Sequence, residues 1–295
     1  MFLLFLVGFF NNLCSFITFK RPAPRKFRVG NYLLINTCFN QMSLLFLLLK
    51  LIQITFGIIN LESCKIISYL LSVMTRSTYW LTSWVTIDRL LTILFPTSIA
   101  LRNPRLAIAI IILTSLFLFG MHIHEIFYYT IIYYSSTHSS ICVTNFDKNF
   151  ISIYNRISTL IHYLLPFIIQ IIAITLLIIL AARSRNKTQG SSTTFYQVLI
   201  KQFQIQKELY ITPIIIILSA LPQTILTFSL ACTQLNIWHR HLLSITYLLS
   251  YAPQILGFIL YVLPSSTYKK EFNETLLSKI FMAEKIKRKT VLKKK

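Results

Sequence analysis

Three stretches of this chain, 157–182, 211–238 and 242–268, contain no Lys, Arg, Asp or Glu. About 20 helical residues cross a hydrocarbon core of ~30 Å, so each run is long enough to span a bilayer. In lipid every backbone N–H and C=O must find a partner within the protein, which leaves helices or closed barrels. Barrel strands would be shorter and would alternate polar with apolar residues; these runs are long and do not alternate. With four further Phe- and Leu-rich stretches they make seven predicted spans, at 2–19, 31–54, 64–88, 105–127, 153–182, 211–232 and 242–263. Only 13% of residues are charged, against roughly a quarter in soluble globular proteins. The expectation is an all-α membrane protein: a seven-transmembrane helix bundle over 1–263 and a tail over 264–295. The opening "MFLLFLVGFFNNLCSF" lacks a basic n-region and a small-residue cleavage site, so it reads as the first span and not a signal peptide.

A net charge of +21 would suit nucleic acid, but its distribution argues for topology instead. The connections at 20–30, 89–105 and 183–210, with the tail from 264, hold 23 of the 29 Lys and Arg residues. By the positive-inside rule that side is cytoplasmic, which puts the N-terminus outside and the C-terminus inside a multi-pass membrane protein. After Pro264, the residues Tyr268, Phe272, Leu276 and Ile280 recur at i, i+4, with Leu277 and Phe281 beside them. This pattern predicts an amphipathic juxtamembrane helix. The basic end either sits near anionic lipid or is simply solvated. The sequons at Asn186 and Asn273 fall on the predicted cytoplasmic side, where glycosylation is not expected.

One acid–base pair, Asp88-Arg89, lies at the inner end of the third span. Cys64 precedes Arg89 by 25 residues, or ~37 Å of helix, which places Cys64 at the opposite, outer surface. Cys142 falls in the outer connection "YYSSTHSSICVTNF". The outside is oxidising, so a Cys64–Cys142 disulfide would tie that connection to the third helix; Cys232, near the outer end of the sixth span, is the rival partner.

Taken together, these spacings resemble the rhodopsin-like (class A) G-protein-coupled receptors over nearly the whole chain. The family pattern is a Cys at the top of the third helix, Asp/Glu-Arg-Tyr 25 residues on, and often a Pro seven residues later. Cys64, Asp88-Arg89-Leu90 and Pro96 stand at those spacings. Asn12 is similar to the Asn of the first-helix Gly-Asn motif, and Asn31, Leu34, Asn36 and Gln41 follow the second-helix pattern. Pro166 and Pro222 resemble the fifth- and sixth-helix prolines. Departures are equally plain. Gln41 stands where the family has Asp, which puts a sodium pocket in doubt. Ala220 stands where it has the Trp of C-W-x-P, the fourth-span Trp is absent, and Ile174 replaces the fifth-helix Tyr. The seventh-helix N-P-x-x-Y is placed at Gly257-Phe258 with Tyr261 retained, in preference to a placement after Pro264, and Pro253 would supply the kink.

The resemblance implies a receptor that binds an extracellular ligand in the outer half of the bundle and signals to a heterotrimeric G protein through Arg89. Asp88 would hold Arg89 in the resting bundle. The base of the sixth helix, "KQFQIQKELY", offers Gln202 and Gln206 and no acid before Glu208. The restraint on Arg89 is therefore weak, and ligand-independent activity is expected.

Arg76 falls near the middle of the third span, where an arginine must face the bundle or water. Two readings stay open. It either anchors an acidic group of the ligand, or is satisfied internally by backbone carbonyls, His162, Gln170 or stacking on Trp80. Lys50, His122, His162 and Gln223 are further pocket candidates by depth. In "HIHE", His122 and Glu125 share a helical face but His124 points away, so no metal site is expected. No cofactor loop or nucleophile cluster suggests an enzyme. The competing function, a multi-span transporter or channel without G-protein coupling, would call for midplane acids, repeats or Gly/Pro-broken helices. The chain shows no clear mid-span acid and has only six Gly.

Overall fold

Ser and Thr side chains, which would weaken an isolated helix, line the central helix of this protein. A computed structural model describes residues 2–57, 60–95, 97–98, 103–134, 139–145, 149–189, 207–229 and 237–275. In chain order the helices are α1 (Phe2–Phe19), α2 (Pro22–Arg25), α3 (Arg28–Phe56), α4 (Leu61–Leu94), α5 (Pro104–His122) and α6 (Glu125–Tyr128). A hairpin of β1 (Tyr129–Tyr134) and β2 (Ser139–Thr144) comes next. Then follow α7 (Asn149–Gln189), α8 (Lys207–Ser229), α9 (Ile237–Leu249), α10 (Ala252–Ile255), α11 (Gly257–Tyr261) and α12 (Ser266–Asn273). The all-α expectation needs one correction, the antiparallel hairpin, in which Ile131 pairs with Cys142. β-branched residues on both strands favour the extended backbone there.

The central helix is α4, which packs against α3, α5, α7 and the hairpin. Its start is capped by the Asn60 side chain, which accepts from the Ser63 N–H at 2.7 Å. Its buried hydroxyls donate back to carbonyls of the preceding turn: Thr75 to Leu71 at 2.7 Å, Ser77 to Val73 at 2.8 Å, and Thr86 to Thr82 at 3.1 Å. Satisfied in this way, they cost little in a dry interior. The surface is the reverse of a soluble protein's. Ile112, Leu113, Leu116 and Phe117 of α5 and Ile168, Ile171 and Ile172 of α7 are exposed.

Among the described residues, three helical segments, Arg28–Phe56, Pro104–Tyr128 and Phe150–Leu180, are each long and apolar enough to cross a membrane. Leu3–Phe19 and Ile214–Leu226 are apolar but shorter. The sequence reading counted seven. The difference has physical causes in two regions. α4 is polar because other helices surround it. The last region is divided: Pro253 has no N–H to continue the helix, and the backbone leaves helical geometry at Leu256 (φ −93°, ψ 13°).

Close packing orients the basic turn between α1 and α3. A Cβ on Gly30 would run into the Pro24 carbonyl, so only glycine lets α2 lie against α3. The Asn31 amide donates to the Arg25 carbonyl at 3.2 Å. α12 folds back on the same corner, where Arg21 pairs with Glu271 at 2.8 Å and Glu274 at 2.7 Å. The rings of Phe19 and Tyr268 meet edge-on, as do those of Phe258 and Phe272. Of the predicted amphipathic stripe, Leu276, Leu277, Ile280 and Phe281 lie outside the described residues.

Candidate functional site

Both arginines singled out on α4, Arg76 and Arg89, border cavities. Arg76 is 5% exposed, and its guanidinium is engaged by the chain itself. Nη1 lies 2.7 Å from Glu125 Oε1, and Nη2 donates to Thr159 Oγ1 at 3.3 Å. Nε has no partner among the described residues. The same Glu125 oxygen is 3.0 Å from Nδ1 of the fully buried His122. This corrects the sequence reading at two points. The acid beside Arg76 is Glu125, which was not among the partners expected for it. The internal partners named for Arg76 are occupied elsewhere: His162 accepts from Trp80 Nε1 at 3.1 Å, and Gln170 donates to Thr82 at 3.1 Å and Ser83 at 2.9 Å. One signal could have found Glu125. Besides Asp88 it is the only acid within the seven predicted spans, and a buried arginine needs a counter-charge.

Arg76 and Gln223, two of the predicted pocket residues, line one cavity together with Thr159, Tyr163, Tyr247 and Tyr251. It gives the centres of water molecules about 130 Å³. Of the other three, the rings of His122 and His162 meet edge to face, with centroids 4.8 Å apart. Lys50 is half-buried on α3 and is not part of this lining.

Below this cavity sits Tyr79, 1% exposed and packed with Phe167, Ile216 and Ala220. Where the family pattern would put an indole on α8, this chain has Ala220, and the aromatic volume comes from α4. The Tyr79 hydroxyl donates to the Ser250 carbonyl at 3.2 Å, at the end of α9. Gln254 Nε2 approaches Thr78 Oγ1 at 3.5 Å. The Pro166 carbonyl, inside α7, accepts from Ser83 at 2.9 Å. Pro222 lies within α8.

At the far end of α4 the expected Asp88–Arg89 pairing gives way to another. Asp88 Oδ1 lies 2.9 Å from Arg28 Nη2, both side chains being almost fully buried. The contact is ionic and poorly aligned for a hydrogen bond: Asp88 Oδ1 makes none, and Arg28 Nε and Nη1 lack partners among the described residues. The geometry explains the exchange. Successive residues on a helix point about 100° apart, so Asp88 faces α3 while Arg89 faces elsewhere. Arg89 borders a narrow cavity with Gln170, Ile174, Thr212 and Tyr261. It also borders a wider one, of about 740 Å³ for water centres, with Lys26, Arg28, Thr92, Leu177 and Tyr268. No described residue forms an ion pair with Arg89. Pro96, Gln202 and Gln206 lie outside the described residues.

A disulfide joins Cys64 at the start of α4 to Cys142 on β2, with Cα atoms 5.7 Å apart. Ser68 Oγ lies 3.4 Å from Cys142 Sγ. Cys232 lies outside the described residues. Among the remaining family positions, Asn12, Asn31 and Asn36 are buried. Gln41 lines a cleft between α1 and α3. Gly257 is faced by Asn12 and, on α3, by Asn40: a Cβ on Gly257 would come within 3.1 Å of Asn12 Oδ1 and 3.8 Å of Asn40 Nδ2. Sequence spacing pointed to Gln41 and missed Asn40, although Asn36 and Asn40 share a helical face. Phe258 holds α12, and Tyr261 is half-buried beside Arg89.

No curated protein matches the chain. The family model described as 7 transmembrane receptor (rhodopsin family) matches residues 12–261. That match runs from Asn12 to Tyr261, and so includes both cavities' α4 walls, the disulfide and the seventh-span break. The chain belongs to the rhodopsin family of seven-transmembrane receptors.

Proposed function

We propose that this protein is a plasma-membrane G-protein-coupled receptor with its N-terminus outside. The Cys64–Cys142 end then faces the oxidising exterior, and the Arg89 end, rich in Lys and Arg, faces the cytoplasm. An extracellular ligand occupies the cavity lined by Arg76, Tyr163, Gln223 and Tyr251, and the cavity around Arg89 receives a heterotrimeric G protein. One observation carries this reading: a single helix, α4, walls one cavity with its middle, at Thr75 and Arg76, and another with its last turns, at Asp88, Arg89 and Thr92. The hydrogen bonds of Tyr79 and Gln170 cross from α4 to the neighbouring helices between those cavities.

A ligand acts by binding one arrangement of the helices more tightly than the other. Tyr79 reaches the end of α9 beside the ligand cavity, and Ser83, with Gln170 bonded to it, lies one turn closer to Arg89. A shift of α8 or α9 at one end thus alters packing at the other. Asp88, held by Arg28, leaves Arg89 free of its neighbour, which adds to the weak sixth-helix restraint and favours signalling without ligand. Asn12, Asn36, Gly257, Phe258 and Tyr261 set the α1–α3–α11 contacts around which that shift turns.

The test is a ligand-library screen with G-protein dissociation as readout, run in parallel on the Arg89→Ala receptor. A ligand that dissociates G protein through the wild type alone supports the reading. Ligand-driven ionic current with no G-protein response would favour a channel and defeat it.

A further inference from the structure

Arg76 is usually the sort of residue that would select an anionic ligand, yet here its charge is already met. Glu125 sits 2.7 Å from Nη1, with the two side chains 6% and 3% exposed. A second carboxylate entering the cavity would leave this desolvated cluster with a net negative charge, which is costly in a low-dielectric interior. What the cluster retains is hydrogen-bonding capacity. Arg76 Nε is a donor without an acceptor, and Gln223 Oε1 is an acceptor without a donor, among the described residues. Both residues line the same cavity. Burying such groups unmatched is unfavourable. A carboxylate offers acceptors alone and an ammonium donors alone, whereas a carboxamide offers one of each. Three aromatic rings, Tyr163, Tyr247 and Tyr251, also line the wall, and the Tyr251 hydroxyl donates to that of Tyr247 at 3.1 Å.

We propose that the cavity takes an uncharged carboxamide carried on an aromatic or aliphatic group, its carbonyl accepting from Arg76 and its N–H donating to Gln223. This rests on the reading of the cavity as the ligand site. Glu125 and His122 are not part of the lining, and their role is positioning: Glu125 fixes the guanidinium and cancels its charge, and His122 holds Glu125. An amidated peptide end and a simple acyl amide share this chemistry.

The experiment uses the full chain in lipid nanodiscs and follows its unfolding midpoint against added probe. The paired probes are N-acetyl-L-tyrosinamide and N-acetyl-L-tyrosine, alike except for amide against carboxylate. Phenylacetamide is the third probe: binding weaker than the tyrosinamide assigns the site to a peptide end, and equal binding to a simple amide. The wild type is expected to bind the tyrosinamide about tenfold more tightly than the acid, the size of one mismatched buried hydrogen bond. Glu125→Gln leaves the Arg76 charge unopposed and should reverse that preference. Gln223→Leu lies outside the ion pair, so it tests the idea even if Glu125→Gln does not fold. It should weaken the tyrosinamide about tenfold and leave the acid nearly unchanged. A wild type that prefers the acid, or a Gln223→Leu receptor that still prefers the amide as strongly, overturns the carboxamide assignment alone. No shift with any probe at millimolar concentration overturns the cavity as ligand site as well.

Discussion

Removing Glu125 should be far more damaging than removing the whole Arg76–Glu125 pair. In Glu125→Gln, Arg76 keeps its charge but loses the contact at 2.7 Å, and with 6% exposure water cannot replace it. Breaking a buried pair from one side costs roughly 3–5 kcal/mol, because a desolvated charge is left alone. For a chain of this size roughly 2 °C of melting temperature corresponds to each kcal/mol, so the midpoint should fall by about 6–10 °C. Arg76→Met alone should cost about as much, since Glu125 would keep only His122, 3.0 Å away. The double variant Arg76→Met with Glu125→Gln removes both charges and should lie within about 1–2 kcal/mol of wild type, as apolar replacements of buried pairs commonly do. The assay is a double-mutant cycle on thermal unfolding of the purified receptor. A coupling of at least about 2 kcal/mol is expected. Additive losses would refute the account, because they would mean that Arg76 and Glu125 do not act as a pair in the folded protein.

Three further outcomes follow from other contacts. Arg28→Gln releases Asp88 from its ion pair and returns it to Arg89, so ligand-independent nucleotide exchange on G protein should fall roughly fivefold, a bias of about 1 kcal/mol; unchanged exchange would show that Arg28 does not control Arg89. Tyr79→Phe deletes the buried hydrogen bond to Ser250 while keeping the ring, and should lower stability by about 1 kcal/mol, measured by the same unfolding assay. Gly30→Ala puts a methyl group against the Pro24 carbonyl, which is backbone and cannot rotate away. A loss of about 1–3 kcal/mol is expected, and a midpoint equal to wild type would contradict the packing of α2 on α3.

Helices and broad family were legible in the sequence because membrane insertion imposes long apolar runs, and because Cys64, Asp88-Arg89, Pro166, Pro222 and Tyr261 keep fixed spacings. Side-chain partners were less so. The Arg28–Asp88 pair joins residues sixty positions apart in sequence, and nothing in local spacing distinguishes it from Asp88–Arg89 until the helix directions are known. Glu125 was hidden for a different reason. Three residues beyond the end of α5, it sits in the short α6 turn that aims it inward, and in sequence it looks like part of a polar cap. The hairpin escaped notice because its Tyr, Ser and Thr residues suit an irregular loop as well as a strand. Asn40 escaped because the family spacing reaches Gln41, one residue further on, which here turns towards the cleft between α1 and α3.

The central claim, that Arg89 stands free of Asp88 and carries the signal, is tested most directly by basal nucleotide exchange on G protein. Membranes carrying the wild type, Arg89→Ala or no receptor would be compared at equal surface expression and without ligand. The account predicts exchange above background for the wild type and a return to background for Arg89→Ala. Exchange that survives Arg89→Ala, or a wild type indistinguishable from membranes without receptor, would contradict it.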